Sequence, residues 1–546
     1  MSATEPLAHG PLHAPLRSEG AFARHAAGSA HGEGPLAVAP FPLDVREVAR
    51  EIAGAEVIAP GDPGVRITGV HHDSRRVLPG DLFVARAGAR VEGASFVRDA
   101  IARGAVCVIV EKGSTVDTGR AARIEVPDEP AALAQASAAI YGHQSFALEV
   151  VGITGTNGKT TTAHLVRAVI DAAGGRAGIV GTLGYAFDDL ARPSPHTSPE
   201  ADELARIAAA MRARGASHLV MEASSIGIAA KRVEAVRFRV AAFTNLTQDH
   251  LDYHGTMEAY AAAKARLFED LAPGAAAINV DDPFGRELAA RVAPAGSPRT
   301  AMLARFSTAA GADAEIAPEH LSFGRAGIHL RVKTPAGVVE IRSPLSGAHN
   351  ASNLLCALAI AWLLDLDVHA AAAALSTAIG VPGRLERCDS PADDDILVLV
   401  DYAHTPDALA RVLESVSSLG AGSVICVFGC GGDRDPKKRP LMGAAVGEAA
   451  AWAIVTNDNP RSEEPGAIAA AILGGLEGTK ARVTVELDRR KAIDLAIAEA
   501  APGDVVLIAG KGHEPYQIIG ATTFAFDDRD EARRALAARR AARRAA

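Results

Sequence analysis

The stretch Gly152-Ile153-Thr154-Gly155-Thr156-Asn157-Gly158-Lys159-Thr160-Thr161-Thr162 limits what this chain can fold into more than any other. An apolar run (Leu148, Val150, Val151) leads into it, and a segment of helical pattern from Ala163 to Ala173 follows. Strand, glycine-rich turn ending in Lys-Thr, and helix together form a phosphate cradle. Backbone N–H groups and the positive end of the helix face the anion, Lys159 brings a charge, and the Thr160 hydroxyl suits Mg²⁺. The chain is therefore expected to be an α/β protein that binds ATP. One position departs from the general pattern, which wants glycine five residues before Gly158. This chain has Ile153 there, and the departure points to a particular subfamily of such turns.

At 546 residues the chain is too long for one ordinary core, so two to four domains are expected. A hydrophobic fraction of 48% with 22% charged residues suits a soluble globular protein, and aromatics at 4% leave Ala, Val, Leu and Ile to build the cores. A net charge of −9 argues against a nucleic-acid partner. The basic tail (Arg533, Arg534, Arg539, Arg540, Arg543, Arg544) reads as the solvated end of a terminal helix. Five scattered cysteines (Cys107, Cys356, Cys388, Cys426, Cys430) suit reduced thiols and a cytoplasmic location. No run of eighteen apolar residues predicts a membrane span. The segment to about Pro40 is rich in Ala, Gly, His and Pro and lacks both periodicity and the apolar region of a signal peptide. It is expected to be a disordered extension, residues 1–40, with His9, His13, His25 and His31 as polar filler.

Three further blocks emerge, each of alternating strand-like and helix-like pattern. The first (41–147) carries Asp81-Leu82-Phe83-Val84-Ala85 and Ala105-Val106-Cys107-Val108-Ile109-Val110, as in a small α/β domain. The second (148–381) begins at the phosphate turn, with strands at 217–222 and 240–245 and a long helix from Met257 to Leu271, and predicts a mostly parallel sheet. The third (382–546) alternates Ile396–Asp401, Ser423–Phe428, Trp452–Thr456 and Val505–Ala509 with helices, as in a doubly wound, Rossmann-like unit.

Ligands in such sheets bind at the carboxyl ends of the strands, and the polar motifs fall there. Glu222 closes an apolar strand in the domain of the phosphate turn and is well placed for Mg²⁺. The loop 244–255 holds two histidines and two aspartates, with His250 the better metal candidate and His254 a structural one. Lys264, on a helix by pattern, reads by itself as an ordinary exposed lysine. In the third block Asp401, Arg434, Asp458-Asn459-Pro460-Arg461 and Gly510-Lys511-Gly512-His513-Glu514 all follow strands. Each alone is compatible with a plain turn. Together Arg434, Arg461 and Glu514 suit a ligand with carboxylates and an amine, such as an amino acid. ATP, a carboxylate and an amine point to ligation through an acyl phosphate.

In their order these motifs resemble the Mur ligase family, over about Leu43 to Leu536. The turn Thr154 to Thr161 matches the family's own form, joined to Gly347-Ala348-His349-Asn350-Ala351-Ser352-Asn353 and Val381-Pro382-Gly383-Arg384-Leu385-Glu386. The resemblance implies a uridine-binding first domain, a central ATPase-type domain and a C-terminal amino-acid domain, acting as a cytoplasmic monomer in peptidoglycan precursor synthesis. It implies ATP contacts from Gly155, Thr156, Asn157, Gly158, Lys159, Thr160 and Thr161, with His349, Asn350 and Asn353 near the nucleotide, the asparagines at adenine. Arg384 would reach phosphate and Asp401 ribose. Catalysis would rest on Lys159, Glu222, His250 and Lys264. Thr160, Glu222, His250 and Lys264 would hold Mg²⁺, the lysine as a carbamate, which reverses the bland reading of Lys264.

The implied carboxylate substrate is UDP-N-acetylmuramoyl-L-alanyl-D-glutamate. Its uridine end would meet Ser74, Arg75, Ala89, Arg90 and Val91, and its dipeptide end Thr197, Ser198, Ser224 and Arg232. The implied amine is meso-2,6-diaminopimelate, held by Arg434, Asp458, Asn459, Pro460, Arg461, Gly510 and Glu514. Arg461 can pair with its distal carboxylate; the closest alternative is the branch of the family that adds L-lysine, which lacks that group and would leave the arginine unpaired or repelling an ammonium. Ala230, Ile226, Thr197-Ser198 and Glu92-Gly93 depart from the common pattern of the family. A more distant alternative, a folylpolyglutamate synthetase, is disfavoured by Asp73-Ser74-Arg75.

Overall fold

A computed structural model describes residues 36, 38, 40, 41, 43–58, 62–86, 93–292, 302–324, 326–417, 419 and 422–545. Three main sheets follow one another along the chain. The first orders its strands Glu56–Ile58, Ala122–Val126, Cys107–Glu111, Leu82–Val84 and Val70–His71, parallel except for the first pair.

The central sheet has eight strands, in the order Leu190–Arg192, Gly184–Phe187, Ala177–Gly181, His218–Glu222, Glu149–Thr154, Val240–Phe243, Ala275–Asn279 and Met302–Phe306. The last six are mutually parallel and the first two form an antiparallel edge. One face packs against the helices Lys159–Ala172, Ala348–Leu363 and Val368–Thr377. The other packs against Ala201–Ala213 and Met257–Glu269. Sheets buried on both faces need strands that are apolar throughout, and Val240–Phe243 and Ala275–Asn279 have no exposed residue. Alanine supplies much of this core, which lets the helices sit close.

A three-stranded antiparallel sheet, Ala317–Gly324, Gly327–Thr334 and Gly337–Ser343, was not expected from the sequence. Its inward residues Leu330, Val332, Val339 and Ile341 join the central core in strict alternation with exposed ones.

The third sheet orders Glu386–Arg387, Leu397–Asp401, Val505–Ala509, Val424–Phe428, Trp452–Val455 and Arg482–Val485, parallel except for the first pair. From Leu397–Asp401 the chain steps past the place of Val505–Ala509 to the far edge and returns to fill that place last, so the direction of winding reverses only on this final step, and the loops at the carboxyl ends of these strands lie together.

Two expectations change. The arginines of the terminal helix Asp528–Ala545 are not simply solvated. Arg533 pairs with Glu386 at 2.9 Å, Arg539 with Asp395 at 3.0 Å and Arg540 with Asp394 at 2.8 Å, because one helix face lies on the third domain. The N-terminal extension falls largely outside the described residues, but Leu36 and Val38 pack against the apolar clusters of the first two sheets. The five cysteines are free. Among the described residues no helix is long and apolar enough to cross a membrane.

Candidate active site

Three neighbouring parallel strands bring the central motifs together. Glu222 pairs in register with Ile153, and Phe243 with Thr154, so three loops leave the sheet side by side. Ile153 is fully buried in the core, so the departure from the general phosphate turn places a packing residue on the strand. The remaining glycines are held by space as well as by backbone angle. A Cβ on Gly155 (φ 147°) would lie 1.9 Å from Thr244 Oγ1, and one on Gly158 (φ 86°) 2.4 Å from Asn353 Oδ1.

The turn is stitched to the next loop. The Asn157 N–H donates to Asn245 Oδ1 at 2.9 Å, and Thr244 Oγ1 to the Asn157 carbonyl at 2.6 Å. The Lys159 ammonium donates to the Gly155 and Thr156 carbonyls at 2.8 and 2.9 Å. Burial lowers its proton affinity, with Glu222 and Asp249 opposing. Thr160 and Thr161 follow in the first helical turn, half-buried.

Glu222 is buried, and its carboxylate accepts from the Thr182 N–H at 2.9 Å and the Thr182 hydroxyl at 3.1 Å. Thr197, Ser198 and Ser224 line up beside it. Thr197 Oγ1 is 3.2 Å from Thr182 Oγ1, Ser198 Oγ donates to the Glu222 carbonyl at 2.9 Å, and Ser224 Oγ lies 3.1 Å from Ser198 Oγ. Arg232 donates to the Ser198 carbonyl at 3.0 Å and pairs with Glu200 at 2.8 Å. Arg86, from the first domain, reaches the same Glu200 at 2.7 Å. Burial works against the Glu200 carboxylate, but the two guanidiniums hold it below its ordinary value. Sequence reasoning missed Glu200 and Arg86 because they meet across 114 residues. On the first domain Ser74 is buried, while Arg75 is exposed and forks onto Asp73 at 2.7 and 2.9 Å. Ala89, Arg90 and Val91 lie outside the described residues.

Lys264 corrects the bland reading: it is 1% exposed. It falls on the inner stripe of the helix Met257–Glu269 with Tyr260, Ala263, Leu267 and Phe268, the i, i+3, i+4, i+7, i+8 spacing of a buried face. Thr256 caps this helix through the Ala259 N–H at 3.2 Å. The Lys264 nitrogen lies 4.3 Å from the Tyr260 ring centroid. Burial first, and Lys159 second, push its ammonium well below the usual lysine range. The Tyr260 hydroxyl lies 3.1 Å from Thr156 Oγ1, which ties the lysine to the phosphate turn. Tyr260 was missed, although its place one turn before Lys264 was the available signal. His250 is about half-exposed, 6.3 Å from the Tyr260 ring, and His254 Nε2 lies 3.0 Å from Ser225 Oγ.

Asn350 and Asn353, expected at adenine, are buried and satisfied within the fold. Asn350 donates to the Ser346 carbonyl at 2.7 Å, Asn353 donates to Asn350 at 3.0 Å, and Thr162 Oγ1 donates to Asn353 Oδ1 at 3.3 Å. Asn353 thus supports the phosphate turn from below. His349 reaches across to Ser415 of the third domain at 3.1 Å. Arg384 stacks 5.0 Å from the Tyr402 ring, and Asp401 accepts the Leu385 and Ala403 N–H groups at 2.7 Å each.

In the third domain the strand-end loops interlock. Gly432 donates to the Asn459 carbonyl at 2.9 Å, and a Cβ on it would lie 1.9 Å from the Pro460 carbonyl oxygen. Arg461 (φ 52°) donates to the Gly432 carbonyl at 2.7 Å, and Arg434 is exposed on the same loop. Asn459 donates to Glu514 Oε2 at 3.0 Å, and a Cβ on Gly510 would meet Asp458 Oδ2 at 2.5 Å. Lys511, fully buried, donates to Asn459 Oδ1 at 3.0 Å. Its spacing in the sequence assigns it no role.

Fold and site define a three-domain α/β protein with a glycine-rich turn at the strand ends of the central sheet and interlocked polar loops at the strand ends of the third. Family models match as Mur ligase family, catalytic domain over residues 66–141, Mur ligase middle domain over 153–361, and Mur ligase, glutamate ligase domain over 383–512. A relative from Gloeobacter violaceus, named UDP-N-acetylmuramoyl-L-alanyl-D-glutamate--2,6-diaminopimelate ligase, is 45% identical over 479 residues, covering 88% of this chain and 95% of the relative. A protein of the same name from Synechococcus elongatus is 46% identical, covering 87% and 95%. A solved structure titled with that ligase name superposes with a TM-score of 0.70 at 34% identity, covering 91% of this chain and 99% of the other. The chain belongs to the Mur ligase family.

Proposed function

We propose that this chain joins meso-2,6-diaminopimelate to UDP-N-acetylmuramoyl-L-alanyl-D-glutamate, cleaving ATP to ADP and phosphate, in cytoplasmic peptidoglycan precursor synthesis. The observation that carries this reading is the grouping at three adjacent strand ends of the phosphate turn, Glu222 and the loop before Lys264. The names of relatives spanning nearly the whole chain supply the substrates.

The turn holds the nucleotide phosphates through backbone N–H groups and Lys159. The Lys159 contacts to its own loop carbonyls are the ones an incoming anion would replace. Thr197, Ser198, Ser224 and Arg232 orient the muramoyl dipeptide beside Glu222. The γ-phosphoryl passes to the glutamyl carboxylate, giving an acyl phosphate and ADP. The substrate amine, after losing its proton, attacks the acyl carbon, and phosphate leaves as the amide forms.

Mg²⁺ would be held by Thr160, Glu222, His250 and Lys264, the last as its carbamate. Glu222 offers a buried carboxylate beside the turn, and Mg²⁺ takes one or two carboxylates beside substrate phosphates while keeping several waters. Bound there, it would neutralise charge on the transferring phosphoryl. The depressed proton affinity of Lys264 favours the free amine, the form that reacts with carbon dioxide. Arg434, Arg461 and Glu514 supply forks and a carboxylate for an amino acid bearing both charges.

Purified protein, the three substrates and Mg²⁺ should release phosphate and yield the tripeptide product by mass. No phosphate release would overturn the reading. Preference for L-lysine over diaminopimelate would overturn the choice of amino acid.

A further inference from the structure

Five ionisable side chains sit together beneath the loops that the proposed reading assigns to the incoming amino acid. Arg489, fully buried, forks onto Asp528 with two contacts of 2.7 Å, and its remaining N–H groups reach the carbonyls of Asn457 at 3.2 Å and Ala509 at 3.0 Å. Those two carbonyls immediately precede Asp458 and Gly510. Lys511, also with no exposed side-chain surface, donates to Asn459 Oδ1 at 3.0 Å and lies 3.6 Å from Glu514 Oε2. Asn459 donates to the same Glu514 oxygen at 3.0 Å, and its Oδ1 also accepts the Ile518 N–H at 2.9 Å. Asp458 is 7% exposed and lies against Gly510.

The group therefore holds three carboxylates (Asp458, Glu514, Asp528) against two cations (Arg489, Lys511). Asp528 is taken up by Arg489. Lys511 is the cation nearest Glu514, and Asp458 acts electrostatically on both Lys511 and Arg489. One negative charge is left over, the complement of one substrate ammonium. Without Lys511 the excess would be two, and a pocket with that excess favours a bare cation over a centre that carries its own carboxylate.

We propose that Lys511 is a specificity-determining residue, setting the charge of the amino-acid pocket so that it accepts a zwitterionic distal centre and discriminates against a bare ammonium. This rests on the proposed function and deepens it. Arg461 attracts the distal carboxylate, and Lys511 removes the surplus charge that would repel it. Buried charge pairs respond strongly to loss of one partner, so the effect is large for a residue that need not touch the substrate.

Lys511→Met keeps an unbranched side chain one atom shorter and removes the charge. The ratio of kcat/KM for meso-diaminopimelate to that for L-lysine is measured in wild type and variant, with the KM for ATP alongside. The expected result is a fall in the ratio of about tenfold or more, carried by the two amino-acid KM values, with the KM for ATP unchanged. A ratio that stays constant while both amino acids weaken together means a structural role and overturns the proposal. Where the Met variant does not fold, Lys511→Gln, which retains a donor for Asn459, gives the same comparison. Wild type that ligates diaminopimelate and variants that keep its selectivity sink the Lys511 inference alone. Wild type that ligates neither amino acid sinks the functional reading and this inference with it.

Discussion

The Lys264 nitrogen lies 4.3 Å from the centroid of the Tyr260 ring, one helical turn away, on a face that solvent barely reaches. A lysine buried in this way keeps a fraction of neutral amine that an exposed one lacks. The neutral amine can take up carbon dioxide, and under the proposed reading the resulting carbamate would supply the oxygen ligands that Mg²⁺ prefers. Lys264→Ala should lower turnover by about a hundredfold or more, with partial recovery on adding a short carboxylic acid. Activity like that of wild type would refute a metal-bridging role. Tyr260→Phe keeps the ring and removes only the hydroxyl beside Thr156, so a loss of about tenfold or less is expected.

Among the described residues Lys159 makes its hydrogen bonds to carbonyls of its own turn. Lys159→Ala should therefore leave the melting temperature within a few degrees of wild type while removing a charge from the transferring phosphoryl. Turnover should fall by about a thousandfold, and the thermal stabilisation given by ATP should largely vanish. Surviving activity would show that the nucleotide binds elsewhere.

Gly155 and Gly158 test the same turn through space. Both have positive φ, and a Cβ on Gly155 would overlap Thr244 Oγ1. Gly155→Ala combines strain with a clash against a side chain that is itself hydrogen bonded. It should cost about 2–4 kcal/mol and destroy phosphate binding. A variant with wild-type stability and turnover would mean that the loop relaxes freely.

The turn, Glu222 and the four strand-end loops of the third domain were legible because each motif is contiguous and follows an apolar run. What could not be read were contacts closed over long sequence separations. Glu200 gathers Arg86 and Arg232 from opposite sides of the chain, and His72 meets Asp202 across 130 residues. No local periodicity encodes such partners. Lys264 was a different failure: residue type outweighed pattern, although its helical spacing from Tyr260 and Leu267 already placed it on the buried stripe. The terminal arginines went astray for the same reason, since composition says charge but not what faces it.

Arg461 has a left-handed backbone and one guanidinium nitrogen on the Gly432 carbonyl, which aims it from a fixed loop. Arg461→Ala should raise the KM for diaminopimelate by about 10–100-fold with a smaller change in kcat, because a fork to a carboxylate contributes about 2–3 kcal/mol when desolvated. L-lysine should gain relative to diaminopimelate. An unchanged preference would remove Arg461 from the distal carboxylate.

The seam between the first and central domains carries a pH dependence of its own. His71, on the strand Val70–His71, faces Arg206 at 3.0 Å, Asp202 at 3.8 Å and Asp81 at 3.5 Å, with Arg76 and His72 nearby. Burial, then the positive charge of Arg206, lowers its value from the ordinary 6.5 to about 4. A histidine so lowered binds its proton more readily in the unfolded chain. Its share of stability is therefore complete above about pH 6.5 and is lost as pH falls from there to about 4. The full difference corresponds to roughly 3 kcal/mol. Burial opposes ionisation of Asp202, but its hydrogen bond to His72 and the charges of His72 and Arg206 hold its carboxyl well below the ordinary range, so it stays ionised and stabilising across the whole of that window. The melting temperature should fall between pH 7 and pH 5, and His71→Gln, neutral throughout, should flatten that fall while lowering the plateau at pH 8. Equal slopes in wild type and variant would move the acid sensitivity of the seam to another group.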